Sequence, residues 1–333
     1  MRPEDFEVDE LAAFEPSGQG EHLYVRVEKQ GRETLEVARA LAQRAAISLR
    51  DVGYAGLKDR QALTRQWFSL PRRDEMDDLG LEGVRILSQT RHSQKLRTGV
   101  LRGNRFRIRA RGTTDVASAR AILERLATEG VPNWFGAQRF GRRGDNALLG
   151  GALIGLGSHP SARQVSHDPF LRRLALSALQ SELFNRLLAA RVAEGRLDGL
   201  ESGDVLEAPE DPRPIVAAVV QPWQARVAAF DVHVTGPMFG SRMTTPTGVP
   251  AEREAAELEA AGIERLAFAR GGKEMQGTRR PYRVKLEGLT VEAEADALRL
   301  GFDLPAGAYA TSIIRELTRA PESAPDADGA EGA

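Results

Sequence analysis

Cysteine is absent, so neither a disulfide framework nor a thiolate metal site can be built. The five histidines (His22, His92, His159, His167, His233) are scattered without metal-ligand spacing, which argues against a zinc enzyme and predicts no metal site. No apolar run reaches the length needed to cross a bilayer. The opening Met1-Arg2-Pro3-Glu4-Asp5 lacks the basic and apolar regions of a signal peptide. No nucleotide-binding motif is present either. These absences predict a cytoplasmic protein with no membrane partner and no cofactor. With 333 residues, 41% of them hydrophobic, the chain can bury a sizeable core, and its length suggests two domains.

Charge is scarce in sum and abundant in places. The formal net charge is -1, which on its own speaks against a nucleic-acid partner, but distribution matters more than the sum. From Arg85 to Arg111 there are Arg91, Lys95, Arg97, Arg102, Arg105, Arg107 and Arg109, and no acid. In Asn104–Arg111 strict alternation puts Phe106, Ile108 and Ala110 on one face and Arg105, Arg107, Arg109 and Arg111 on the other. Like charges side by side destabilise a sheet, so an unmixed arginine face suggests a polyanion nearby rather than a plain solvated face. A second basic cluster, Arg270, Lys273, Arg279, Arg280 and Arg283, contains only Glu274 as an acid and suggests the same partner.

Periodicity outlines the remaining elements. Residues 3–11 and His22–Lys29 alternate as strands and are expected to pair as a hairpin. Thr34 can cap a helix whose apolar face is Leu35, Val37, Ala38, Leu41, Ala42, Ala45 and Ala46. Trp67–Leu70 reads as a strand ending at Pro71. A helix is expected over Val116–Glu129, with Gly130 as its C-cap, and a long amphipathic one over Pro169–Arg191. A Glu-rich helix follows at Ala251–Ala261, then strands at Arg283–Leu286 and Ala297–Leu304. The stretch from Pro321 to Ala333 has the composition of an acidic disordered tail.

The stretch richest in chemistry is Gly53-Tyr54-Ala55-Gly56-Leu57-Lys58-Asp59-Arg60. Its glycines permit close approach or a positive φ. Asp59 stands between two cations, which favour its ionised form, and an ionised acid beside a turn can act as a nucleophile. By itself this triplet reads as well as a surface salt bridge. A second block, Val131-Pro132-Asn133-Trp134-Phe135-Gly136-Ala137-Gln138-Arg139-Phe140-Gly141, interleaves aromatics with Arg, Asn and Gly, as a pocket that stacks a base would. The third block runs from Leu304-Pro305-Ala306-Gly307 through Tyr309-Ala310-Thr311-Ser312 to Arg315-Glu316-Leu317.

GYAGLKDRQALTRQWFS resembles the active-site motif of the TruD-type RNA pseudouridine synthases, and the other two blocks, the opening Pro-Glu-Asp-Phe and Lys95–Phe106 resemble further elements of that family. The resemblance implies an α+β fold: a pseudouridine-synthase catalytic domain with a mixed, largely antiparallel sheet, interrupted by an α/β insertion (TRUD) domain. The expected limits are 1–158 plus 282–320 for the catalytic domain and 159–281 for the insertion. It implies a tRNA pseudouridine synthase, an isomerase that turns a uridine base so that C5 replaces N1 at C1′, with no cofactor; uridine 13 of the D arm is the family expectation. Asp59 is then the catalytic residue, attacking or deprotonating at the ribose. Phe6, Lys58, Asn133, Phe135 and Tyr309 would bind the uridine, and Arg105, Arg107, Arg109, Arg139 and Arg279 the tRNA. No protein partner is implied, and a monomer is expected. The alternatives are a non-catalytic RNA-binding or chaperone protein, and a glycosidase, which would need a second carboxylate that none of the blocks supplies.

Overall fold

The structure, a computed structural model, describes residues 3–71, 74–112 and 115–318. The acidic tail expected at 321–333 lies outside the described residues. After a 3-10 turn at Pro3–Asp5 come β1 (Phe6–Ala12), β2 (His22–Lys29), α1 (Thr34–Arg44), β3 (Gly53–Tyr54), β4 (Leu63–Leu70), β5 (Val84–His92) and β6 (Leu101–Arg111). Then α2 (Val116–Glu129) leads to β7 (Val131–Pro132), α3 (Asn146–Leu153), α4 (Ala162–Ser166) and α5 (Pro169–Ala193). Next are β8 (Val205–Ala208), β9 (Asp211–Val216), α6 (Gln221–Ala228), β10 (His233–Met238), α7 (Gly248–Ala260), β11 (Thr278–Pro281) and β12 (Arg283–Val284). The described chain ends with β13 (Glu287–Ala293), β14 (Ala297–Pro305) and α8 (Ala310–Thr318).

By packing, the chain divides into two compact units. One contains residues up to Glu124 together with Leu286–Ala308; the other contains Arg125–Lys285 together with the chain from Tyr309 on. The first is built on a sheet of order β13-β14-β6-β1-β4-β2-β5, with β3 on β4. All its pairings are antiparallel except β1 with β4. The expected β1–β2 hairpin does not form. Instead β4 lies between the two strands, and Val8 pairs with Thr64 while Val25 pairs with Phe68. The long link between β1 and β2 lets β4 enter, and a strand with both flanks hydrogen-bonded satisfies more backbone groups than an open hairpin edge.

Alternation in β2 sends Leu23, Val25 and Val27 to one face, where Val37, Ala38 and Leu41 of α1 cover them. All are 0–1% exposed, so each contributes on the order of 1–3 kcal/mol of burial. Thr34 does not cap α1: Glu33 is the N-cap residue, its amide donating to the Glu36 carboxylate, and the Thr34 hydroxyl turns inward to Gln66. The second unit packs α5 against β10 of the sheet β11-β10-β8-β9, and Leu176, Leu183, Phe184, Leu188, Val234 and Phe268 form its core. The short pair β7–β12 adjoins this core through Tyr282.

Candidate active site

In the first unit, β3 and the loop after it carry Asp59. Gly53 is there because of close approach, since a Cβ would sit 2.3 Å from the Leu96 carbonyl oxygen. Gly56 has open space and no positive φ, so the expected freedom at that glycine is not used. The loop is held almost residue by residue. Gln66 donates to the Gly56 carbonyl (3.1 Å), the Lys58 amide donates to the Thr34 hydroxyl (2.9 Å), and the Gly31 amide donates to the Arg60 carbonyl (3.1 Å). Lys29 Nζ donates to the main-chain carbonyls of Lys58 (3.2 Å), Asp59 (2.8 Å) and Arg32 (2.8 Å).

Lys29, Thr34 and Gln66 are all buried, whereas Asp59 is exposed. Among the described residues no hydrogen bond or ion pair holds the Asp59 carboxylate. Neither of the two cations that flank it in sequence pairs with it. Lys58 turns inward, its ammonium bonded to the Asn104 side chain and 3.3 Å from the Glu10 carboxylate. Arg60 binds the Gly31 carbonyl. Burial pushes the Glu10 carboxyl above the usual range, with the Lys58 charge opposing it. Phe6 lies on the same face of β1 as Val8 and Glu10, half-buried, with its ring edge-on to Phe106 at 6.0 Å.

The second cluster forms around the residues that follow β7. Asn133 is buried; its amide NH donates to Tyr282, its side chain donates to Pro281, and its side-chain oxygen accepts from Arg280. Phe135 is clamped by two hydrogen bonds between its backbone and the Asn185 side chain, at 3.0 and 2.9 Å. The Arg280 guanidinium lies 4.0 Å from the Phe135 ring centre, and that of Arg139 lies 5.4 Å away. Phe184 meets the ring edge-on at 5.6 Å, and Tyr309 approaches it at 6.5 Å. Burial lowers Arg280 to about 10, with Tyr309 opposing the shift and Arg139 adding to it. Within the second unit the structure gathers Asn133, Phe135, Arg139 and Tyr309, while Asp59 and Lys58 belong to the first.

The family can now be compared. The sequence profile of tRNA pseudouridine synthase D (TruD) matches residues 1–164 and 162–317. The chain is 45% identical over 328 residues to a tRNA pseudouridine synthase D of Anaeromyxobacter dehalogenans, covering 98% of this chain and 94% of that one. It is 40% identical over 343 residues to its Thermus thermophilus counterpart, covering 100% and 93%. The chain belongs to the tRNA pseudouridine synthase D family. A TruD crystal structure from Methanosarcina mazei superposes with a TM-score of 0.74 at 23% identity, covering 96% of this chain and 93% of that one, which agrees with the α+β fold. TruD proteins are isomerases.

Several basic residues lie elsewhere than expected. Arg279, expected to face RNA, is instead buried, with Glu254 at 2.7 Å and Thr235 as a further partner. Arg283 is buried against the carbonyls of Glu129 and Val227, and Arg270 donates to Ile154. This cluster looked cationic because its counter-charges and carbonyls come from distant sequence. The arginine face of β6 has the same explanation. Arg105 forms two 2.8 Å bonds to Asp303, Arg107 bonds Asp9 at 2.7 Å, and Arg111 bonds Asp5 at 2.8 Å. Arg109 pairs with Glu294 and Asp296. The face is unmixed along its own strand and mixed across the sheet. Sequence reasoning also missed Lys29, Glu10, Gln66 and Asn185. Lys29 left one signal: a cation in the inward register of Leu23, Val25 and Val27.

Proposed function

We propose that this chain isomerises a uridine of tRNA to pseudouridine, with Asp59 acting as nucleophile toward the ribose of a base turned out of its stack. The supporting observation is an exposed carboxylate that no hydrogen bond or ion pair holds among the described residues, on a main chain held by buried hydrogen bonds. The main chain that carries this acid is fixed in its path, a condition that helps a weak nucleophile to act. Asp59 bonds to C1′ as the N1–C1′ bond breaks, the base rotates, C5 bonds to C1′ as the Asp59 bond breaks, and the proton lost from C5 is balanced by one gained at N1. Extruding the uridine costs a few kcal/mol, which stacking on aromatic rings offsets. Phe6, Phe135 and Tyr309 are the candidate platforms, with Lys58 and Asn133 ordering the residues around them.

Arg105, Arg107, Arg109 and Arg139 would contact phosphates, exchanging carboxylate partners for RNA where they have them. Uridine 13 in the D arm is the target this reading favours. Residues 159–281 would act as an insertion gripping the RNA within a catalytic domain of 1–158 and 282–320, limits that concern the sequence insertion rather than the packing units above. A monomer acting in the cytoplasm fits the reading, and no described helix is long and apolar enough to cross a membrane.

The test is tritium release from C5-labelled uridine in a tRNA transcript, comparing the native chain with Asp59→Asn. Release by the native chain, and none by a variant that still binds tRNA, is expected. Equal binding with no release from either would support the RNA-binding alternative.

A further inference from the structure

The loop bearing Asp59 is held through its main chain, since among the described residues no hydrogen bond or ion pair holds the carboxylate itself. At the end of β2, Lys29 occupies a register position that Leu23, Val25 and Val27 fill with hydrocarbon, and it is 0% exposed. An ammonium buried there is unfavourable unless each of its three N–H groups finds an acceptor. It finds three, and two are the consecutive main-chain carbonyls of Lys58 and Asp59. Among the described residues no carboxylate is hydrogen-bonded to it. A methionine would fill similar space at less desolvation cost, so core packing does not account for the charge.

We propose that Lys29 is a positioning residue for the reaction: its buried ammonium binds the peptide carbonyls on both sides of the Asp59 backbone and so aims the nucleophile. The inference rests on the assignment of Asp59 to the chemistry. A neutral amine keeps only two N–H donors, so deprotonation would leave one of the three carbonyls without a donor and loosen the loop. Burial brings this ammonium down to about 8, with Asp59 opposing the shift, Lys58 adding to it, and Glu36 and Glu33 at the start of α1 opposing it. Its neighbours across the strands, Thr64 and Val84, carry no charge, nor does Gln66.

Single-turnover tritium release and tRNA binding are measured for the native chain, Lys29→Met and Asp59→Asn on either side of about pH 8. Lys29→Met is expected to lose about 100-fold in rate, the scale of a small misplacement of a reacting group, with tRNA Kd unchanged. The native rate is expected to fall through about pH 8, and that limb is expected to be missing in Lys29→Met. A Lys29→Met protein with the native rate and the native pH profile overturns the inference. Release by Asp59→Asn removes the catalytic reading instead. If Lys29→Met does not fold, hydrogen exchange of the native chain decides. Protection of the Lys58 amide should drop above about pH 8 relative to the amides of β4, and unchanged relative protection overturns the proposal.

Discussion

Under Asp59 a lysine binds three backbone carbonyls, while under Phe135 an arginine lays its plane on the ring and bonds an asparagine. Both are buried cations supporting a candidate site residue, and their chemistries differ as the two head groups do. An ammonium is a compact point charge that can draw several carbonyls together, whereas a guanidinium is flat and directs its hydrogen bonds sideways while it stacks. The lysine therefore fixes a main-chain path and leaves the Asp59 side chain in water. The arginine fixes two side chains, Asn133 and Phe135. Buried Arg279 makes a third case, hydrogen-bonded to the Glu254 carboxylate. A buried cation can thus organise backbone, side chains or a counter-ion, and the partner reveals its role.

Replacement of the partners should rank the three arrangements. The largest effect is expected from Glu254→Ala, which leaves Arg279 buried without its carboxylate and should cost about 3–5 kcal/mol in urea unfolding. Activity per folded molecule should be retained; a loss of less than about 1 kcal/mol would show that Arg279 reaches water. Next is Arg280→Lys, which keeps the charge and removes the plane. It should cost about 1–3 kcal/mol through the unpaired Asn133 oxygen and the lost stacking, and a neutral result would mean that only charge matters there.

Third is pH. Because the folded chain holds Lys29 at about 8 against an ordinary 10.5, the unfolded chain binds more protons between those values, so this contribution to stability is present above the window and lost as pH falls through about 8. Stability of the native chain relative to Lys29→Met should therefore rise with pH across that window, while the relative rate falls. Parallel changes would contradict the assignment. The smallest effect should come from Arg105→Ser. This pair is 46% exposed on the arginine side, and its loss should cost no more than about 1 kcal/mol.

Local pattern made much of this legible before any coordinates. The α2 limits match the residues expected, and the inward faces of β2 and β6 follow simple alternation. Asp59 and the cluster around Phe135 stood out because glycines, aromatics and charged residues in fixed order resemble a family. Strand order did not, because β4 enters between β1 and β2 and nothing local announces a parallel pair. Charge balance was also hidden. The carboxylates facing Arg105, Arg109, Arg111 and Arg279 come from Asp303, Glu294, Asp5 and Glu254, brought in by β14, the turn before it, the opening 3-10 turn and α7. A row of arginines therefore looked exposed to a polyanion when half of its surroundings were still missing from view.

The β6–β14 pairing joins residues about 200 positions apart, as Arg105 and Asp303 illustrate. During synthesis at roughly 5–20 residues per second, β6 thus has an open edge for about 10–40 s. In that interval its four arginines make the edge a poor template for another growing chain, since charged residues discourage edge-to-edge pairing. The acids that later pair with Arg105 and Arg109 arrive on the segment that closes the sheet, whereas Asp9 and Asp5, which pair with Arg107 and Arg111, are made before β6. Arg105 and Arg109 are in this sense a timed guard, cationic while the edge is open and paired once it is shut.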